Sequence, residues 1–206
     1  PLSDEDVTFL TQAPRDAIDI GEALVQRKQP RWLMGWRDIC RSTDERTVIS
    51  SVFPKVGTGD KILLMHPQCS EAAKAVLLGM LTSLVSDFVA RQKFGGTSFK
   101  YYYMKQIAAL PPSAFSPEDL VFVTPRVLEL TYTSHSMRAW AEDLGHSGPP
   151  FAWDDTRRAL LRAELDAFYA LKFSLSRDEL RYVLDPADVK GSDFPSETYR
   201  GLKRNE

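Results

Sequence analysis

Several features that would place this 206-residue chain in a membrane or an oxidising compartment are missing. No apolar run approaches the roughly 20 residues that a membrane-spanning helix requires, and no basic segment followed by an apolar one opens the chain as in a signal peptide. Cys40 and Cys69 are too few for a disulfide framework and lack metal-ligand spacing. We therefore expect a cytoplasmic protein without membrane contact, built around an ordinary apolar core.

Cofactor and methyl-transfer motifs are also scarce. No glycine-rich turn between a strand and a helix is available for S-adenosylmethionine, because Gly57 and Gly59 fall between two predicted strands. Residues 148–151, Gly-Pro-Pro-Phe, come close to the Asn/Asp-Pro-Pro-Tyr/Phe motif of amino-methyltransferases. Gly148, however, has no side chain to accept a hydrogen bond from a target amino group. A proline-rich loop between helices is the better interpretation.

Two other candidates for chemistry have simple structural explanations. Asp188-Val189-Lys190 has the D-x-K ending of a metal-dependent nuclease core, but it lies in a segment without strand character, which favours a solvated surface. Cys40 falls on the apolar face of a predicted strand, which favours a buried, inert thiol over a pairing with His66 and Cys69. We expect no metal site and no catalytic site here, with an enzyme of unrecognised pattern left open.

Charge is distributed unevenly along the chain. The formal net charge is −2. Residues 31–110 nevertheless carry eleven Lys and Arg against six Asp and Glu, while residues 1–30 and 111–206 are acidic. A basic middle between acidic ends is what a nucleic-acid-facing surface on a supporting scaffold would show. Chance clustering of cations also accounts for an excess of this size.

The first half of the chain predicts a small antiparallel sheet. Trp32–Arg41 alternates in the manner of a strand, Thr47–Phe53 is rich in β-branched residues, and Lys61–Met65 is a short apolar run. Turn-forming residues separate them at 42–46 and 54–60. We expect these strands to form a three-stranded antiparallel meander.

The remainder of the chain predicts helices. One long helix should begin at an N-cap, Ser70, and end at Gly95-Gly96 after Lys93. Further helices are predicted over 99–110, 125–144, 154–173, 176–184 and 194–204, with a loop at 146–150 and only a weak helical pattern at 17–25. The expected fold is α+β: a small antiparallel sheet in the N-terminal half packed on a long helix, then a mostly helical C-terminal third. We divide the chain into a leading segment (1–30), a core (31–115) and a helical region (116–206).

Binding candidates lie in two stretches. Arginines on or beside the first hairpin suit phosphate or guanine, because the guanidinium fork can bind either bidentately; ion pairs with neighbouring acids explain them equally well. Lys100, Tyr101 and Lys105 share the helix face opposite Phe99 and Tyr103, whereas cations at the end of the long helix also complement its dipole. The candidate DNA contacts are Arg37, Arg41, Arg46, Thr47, Arg91, Lys93, Lys100, Tyr101 and Lys105.

Three stretches, taken in order, resemble one family. They are WRDICRSTDERTVISSVFP (36–54), LVSDFVARQKFGGTSFKYYYMKQIAALPP (84–112) and GPPFAWDDTRRALLRAELDAFYALKFSLSRDELRYVLDP (148–186), the last followed by DFPSETYR (193–200). Together they are similar to the C-terminal target-recognition domain of bacterial single-chain type II restriction-modification enzymes and related phage-defence N6-adenine DNA methyltransferases.

The resemblance implies a DNA-binding module without chemistry of its own. It would select the sequence that a methyltransferase domain of the same chain, using S-adenosylmethionine, flips and methylates, with cleavage as a further possible activity of the whole protein. Its partners would be double-stranded DNA and that methyltransferase domain. Because the sequence starts at Pro1 without an initiator Met, we interpret it as a fragment of a longer protein. A protein-interaction module, with the acidic helical third docking other subunits, is the alternative.

Overall fold

A computed structural model describes residues 4–12, 29–42 and 44–193. The strands are β1 (Trp32–Arg37), β2 (Ser50–Pro54) and β3 (Ile62–Met65). The helices are α1 (Asp4–Gln12), α2 (Glu71–Thr82), α3 (Leu84–Lys93), α4 (Tyr101–Met104), α5 (Pro117–Thr131), α6 (Arg138–Asp143), α7 (Asp155–Lys172), α8 (Arg177–Leu184) and α9 (Ala187–Lys190), with 3-10 turns at Pro112–Ala114 and His135–Met137. The chain divides into two compact units between Arg31 and Trp32. The helical patterns at 17–25 and 194–204 lie outside the described residues.

The sheet confirms the α+β fold but not the predicted meander. Its strand order is β2-β1-β3, so β1 is central and pairs antiparallel with both neighbours. Since Trp32 pairs with Pro54 and Arg37 pairs with Ile62, the connection 55–61 must run back along the sheet before β3 begins. Seven extended residues reach roughly 23 Å, enough to return along a strand of this length. The long connection therefore permits a crossover that a tight hairpin turn would forbid.

The central strand is buried on both faces. Residues 32–36 are all buried, so polar and apolar alternation gives way to continuous burial. Gly35 is required at the β1–β3 contact, because an added Cβ would lie 2.2 Å from the Leu63 carbonyl oxygen. β1 ends at Arg37 rather than at the predicted Arg41, because residues 38–40 leave the neighbouring strands and pair with residues 97–99: the Phe99 N–H donates to the Asp38 carbonyl at 2.7 Å.

β2 begins later than its sequence pattern predicts. The backbone N–H groups of Thr47 and Val48 donate to the Asp87 carboxylate, each at 2.7 Å, and are not used in the strand ladder. Pairing with β1 therefore starts at Ser50. The β-branched residues before it fill the core instead: Val48 is buried at the sheet's edge.

The predicted long helix is two helices with a bend of 58°. Ser70 caps α2 as expected, accepting from the Ala73 N–H. The break is at Ser83, whose backbone is extended at ψ 154°. Its hydroxyl donates to the Met80 carbonyl and accepts from the Ser86 N–H, so one residue ends α2 and begins α3. No single helix in the described ranges is long and apolar enough to cross a membrane; α2 and α3 reach that length and composition only together, across the bend.

The later helices confirm two predictions and correct two. Asp154 and Ser176 cap α7 and α8, close to the predicted starts. The helix predicted from Pro125 instead begins at Pro117, behind a capping box at Ser116, and carries Pro125 in its interior. The helix predicted over 99–110 is reduced to α4, although Phe99 and Ile107 are buried as the pattern requires.

One core holds the sheet against the helices. Trp32 packs edge-on against Trp140, and its indole N–H donates to Asp143 at 2.9 Å. The Tyr169 hydroxyl donates to the Val76 carbonyl at 2.7 Å, which ties α7 to α2. α2 also packs along α5, so the predicted core (31–115) and helical region (116–206) share one apolar interior.

Candidate nucleic-acid interface

A buried carboxylate organises the cations at the end of β1. The Asp38 side chain is fully buried, and its Oδ2 lies 2.8 Å from Lys100 Nζ and 3.8 Å from Lys61 Nζ. Arg37, the preceding residue, is exposed and its Nε donates to the Ile39 carbonyl. We call Arg37, Lys61 and Lys100 the basic cluster. One carboxylate therefore fixes two lysines from distant parts of the chain, and the residue before it in the chain is an exposed arginine.

The basic cluster carries net positive charge. Lys61 also pairs with Asp60 at 2.9 Å, and both side chains are exposed. The Lys61 ammonium lowers the pKa of Asp60, and the hydrogen bond raises the pKa of Lys61. The cluster thus has three cations and only two neighbouring carboxylates, Asp38 and Asp60. This leaves the Arg37 guanidinium and the exposed side of Lys100 available to an anionic partner.

Tyr101 is placed beside the basic cluster by the core. The indole N–H of Trp36 donates to the Phe99 carbonyl at 2.6 Å, and the Trp36 ring packs edge-on against Tyr101 with centroids 4.9 Å apart. The Tyr101 hydroxyl donates to the Leu64 carbonyl on β3 at 3.0 Å, yet the residue is 46% exposed. The segment that follows α3 is therefore fixed across the end of the sheet, with its aromatic edge open to solvent.

Three further cations, Lys93, Lys105 and Arg41, are exposed and lie within a few residues of the basic cluster in the sequence. Lys105 stands one turn after Tyr101, since its N–H donates to the Tyr101 carbonyl at 2.9 Å. Lys93 ends α3. The Arg41 backbone is held in a turn, because its N–H donates to Asp44 at 2.9 Å. Their exposure keeps all three in the candidate set.

Two predicted contacts are buried, and we remove them from the set. Thr47 is fully buried, with its N–H on Asp87 and its hydroxyl on the Arg41 carbonyl at 3.1 Å. Arg91 is 9% exposed and binds Asp87 through Nε at 2.8 Å. Its other guanidinium nitrogens donate to the carbonyls of Ser42, Asp44 and Glu45 at 2.7–2.8 Å. These residues hold the loop between β1 and β2 onto α3.

Arg46 is directed away from the basic cluster. Its Nη2 lies 3.9 Å from the Asp166 carboxylate on α7, and the side chain is 24% exposed. Arg46 lines a cleft together with residues of β2, α2, α5 and α7. Its role is therefore separable from that of the exposed cations.

Residues 148–151, Gly-Pro-Pro-Phe, form a loop between helices, as expected. The Gly148 carbonyl accepts from the Tyr132 hydroxyl at 3.3 Å, and the Phe151 N–H donates to the Tyr132 carbonyl at 2.9 Å. The Phe151 ring stacks on His146 with centroids 5.1 Å apart. The aromatic side chain is thus engaged within the loop rather than presented to a base.

The other chemical candidates agree with their simpler interpretations. Cys40 is 1% exposed, and burial, assisted by Asp44, raises the pKa of its thiol to about 11. Asp188 and Lys190 are exposed on α9. Across the described residues, no group of three or more His, Cys, Asp or Glu side chains could hold a metal ion.

Sequence reasoning missed two of the buried carboxylates, Asp38 and Asp87. Asp38 and Asp87 each bind partners 39 or more positions away, Lys100 and Thr47–Val48 respectively. The available signal was periodicity: Asp38 falls on the same strand face as Trp36 and Cys40, and Asp87 follows Leu84 by three positions in the predicted helix. Both contacts join the first resembling stretch (36–54) to the second (84–112), so the two stretches form one packed unit.

Comparison with protein-family models, with curated proteins and with solved structures finds no match for this chain.

Proposed function

We propose that this chain recognises the DNA sequence at which a methyltransferase domain of the same protein modifies adenine. The observation that carries the proposal is the basic cluster on buried Asp38, flanked by half-exposed Tyr101 and exposed Lys105. The cations lie in the one part of the chain with excess positive charge. The resemblance of the packed stretches 36–54 and 84–112 to target-recognition domains supports the same function.

The proposed contacts divide by chemistry. Lys93, Lys100 and Lys105 are point charges that suit phosphate oxygens and would fix the register of the duplex. Arg37 and Arg41 carry the fork that can read guanine O6 and N7 in the major groove. Because Lys100 is held by Asp38, it presents its charge in a fixed position, and less side-chain entropy is lost on binding.

The catalytic step belongs, in this proposal, to the methyltransferase domain and its S-adenosylmethionine. A domain that extrudes one base cannot by itself choose among similar adenines, so a second module must grip the adjacent grooves. This chain contributes the grip and the choice, and it acts without a cofactor of its own.

Duplex binding by the 206-residue chain tests the proposal. Fluorescence anisotropy with a labelled duplex should show binding at low salt that weakens steeply between about 50 and 200 mM salt. Lys105→Ala and Arg37→Ala should each weaken binding several-fold. Only Lys105→Ala, the phosphate contact, should also reduce the slope of log K against log salt by about one.

Arg177→Ala is the matched control, because it removes an exposed cation at the start of α8 in the acidic third of the chain. Its affinity for the duplex should stay within about a factor of two of wild type, because salt screens a charge that lies outside the proposed contact surface. The absence of binding at low salt, or equal losses in all three variants, would contradict the assignment.

A docking function has one observation in its favour. An apolar groove of about 540 Å³ lies between α3 and α8, lined by Phe88, Val89, Leu175 and Val183 among others. A groove of this kind suits a helix or loop of another domain. If the duplex experiment fails while the chain still binds a separately produced methyltransferase domain, the interaction module becomes the better conclusion.

A further inference from the structure

A second polar site lies apart from the basic cluster. A cleft of about 430 Å³ opens between β2, α2, α5 and α7. This volume is within the range of about 300–1,000 Å³ that is usual for small-molecule sites. Its apolar wall includes Leu78, Val127 and Leu165, which come from three different helices. The cleft is therefore built by the folded core and not by a surface loop.

The charges that line the cleft are unbalanced. Three arginines, Arg46, Arg158 and Arg162, face a single carboxylate, Asp166. Arg46 lies 3.9 Å from Asp166, whose Oδ1 also accepts the Leu84 N–H at 2.7 Å. Arg158 and Arg162 give the cleft a net positive lining; Asp155 and Glu129, which also attract Arg158, do not line it.

Arg158 and Arg162 are held close to each other on one helix. They stand four residues apart on α7, an arrangement in which like charges repel. Trp153 fixes Arg158, whose guanidinium carbon lies 3.7 Å from the ring centroid. Burial, together with Arg162, lowers the pKa of Arg158. Arg158 and Arg162 both line this cleft, so together they offer two guanidinium groups to a phosphate.

We propose that this cleft binds a small phosphate ester with an apolar or aromatic organic part, of the size of a nucleoside monophosphate. Arg158 and Arg162 hold the phosphate oxygens. The wall formed by Leu78, Val127 and Leu165 receives the organic part. This site uses none of the exposed cations assigned to DNA, so it does not depend on the proposed DNA contacts.

Isothermal titration of the full 206-residue chain with AMP tests the proposal, with adenosine and inorganic phosphate titrated separately. AMP should bind saturably and more tightly than either part alone. Arg158→Gln and Arg162→Gln should each weaken AMP about tenfold to a hundredfold, the value of one charge-assisted hydrogen bond.

Arg157→Gln is the matched control. It neighbours Arg158 on α7 but pairs with Glu129 at 2.9 Å and does not line the cleft. AMP affinity equal to wild type in this variant supports the site. No saturable AMP binding by the wild-type chain, or an equal loss in Arg157→Gln and Arg162→Gln, overturns it.

The phosphate could also belong to a DNA strand, and a further arm of the test separates the two sources. If Arg162→Gln lowers duplex affinity as much as Lys105→Ala does while AMP neither binds nor competes, the cleft holds DNA backbone and the small-ligand proposal is overturned. If AMP binds but does not displace the duplex, the cleft is a separate site. If Lys105→Ala and Arg37→Ala leave duplex affinity unchanged, the assignment of the DNA contacts is wrong, but saturable AMP binding still supports this cleft as a site.

Discussion

Replacing Asp87 should be among the most damaging single changes in this fold. The carboxylate is fully buried. One oxygen accepts the N–H groups of Thr47 and Val48 at 2.7 Å, and the other binds Arg91 Nε at 2.8 Å. Asp87→Ala therefore leaves two buried donors without their acceptor and a buried guanidinium without its counter-ion.

The magnitude follows from these contacts. Each orphaned backbone donor costs about 1–3 kcal/mol, and an uncompensated buried charge costs about 3–5 kcal/mol. Because these terms overlap, we expect a loss of about 5 kcal/mol in the free energy of unfolding. The total stability of a domain is only about 5–15 kcal/mol, so the variant should be unfolded or only marginally stable at 37 °C.

Urea unfolding followed by circular dichroism measures the effect. Arg91→Met should also cost about 3–5 kcal/mol, since it leaves the Asp87 carboxylate buried without its cation. The double variant should lose less than the sum of the two, by about 1–3 kcal/mol, because the partners share one network.

Asp188→Ala is the control and should stay within about 0.5 kcal/mol of wild type, since Asp188 is exposed on α9. An Asp87→Ala variant that loses less than about 1 kcal/mol would refute the reasoning. Additive losses in the double variant would show that the two residues do not act as one clamp.

Three further changes probe other parts of the fold. Gly35→Ala should prevent β1–β3 pairing, because the added methyl would lie 2.2 Å from the Leu63 carbonyl oxygen; we expect a loss of at least about 3 kcal/mol by urea unfolding, and a loss under about 1 kcal/mol would contradict the pairing. Ser83→Ala removes the cap shared by α2 and α3 and should cost about 1–2 kcal/mol, whereas no change would show that the bend does not need the hydroxyl. Burial raises the pKa of Asp166, so the stability that its protonated form contributes is present at low pH and is lost as pH rises through the raised pKa. Asp166→Asn should therefore raise the melting temperature near pH 7, and its advantage over wild type should shrink towards pH 4. An advantage that grows towards pH 4 would contradict this reasoning.

The local elements of this fold could be predicted from the sequence, because their signals are local. Ser70, Asp154 and Ser176 cap their helices where the residue types indicate, and the acids and apolar stripe of α7 give its span. Even there one residue departs from the pattern: Leu171 continues the helical spacing of Leu161, Leu165 and Phe168, yet it is 75% exposed.

The long-range arrangement could not be predicted, for a physical reason. The strand order β2-β1-β3 depends on where the connection 55–61 crosses, and no periodicity records a crossover. The same holds for the site. Arg91 was expected at a helix end as a DNA contact, but carbonyls 46–49 positions away take its donors. Asp38 gathers Lys61 and Lys100 only because the folded sheet brings them together.

Selection of duplexes from a pool with a randomised central segment tests the central proposal most directly. If the chain recognises a DNA target, repeated rounds of binding at moderate salt should enrich one short sequence. Arg37→Ala, a candidate base-reading change, should relax the preference at one or two positions, in addition to its several-fold loss of affinity. Lys105→Ala should weaken binding uniformly and leave the enriched sequence unchanged. Binding that enriches no sequence, or no retention of duplex at any salt concentration, would contradict target recognition by this chain.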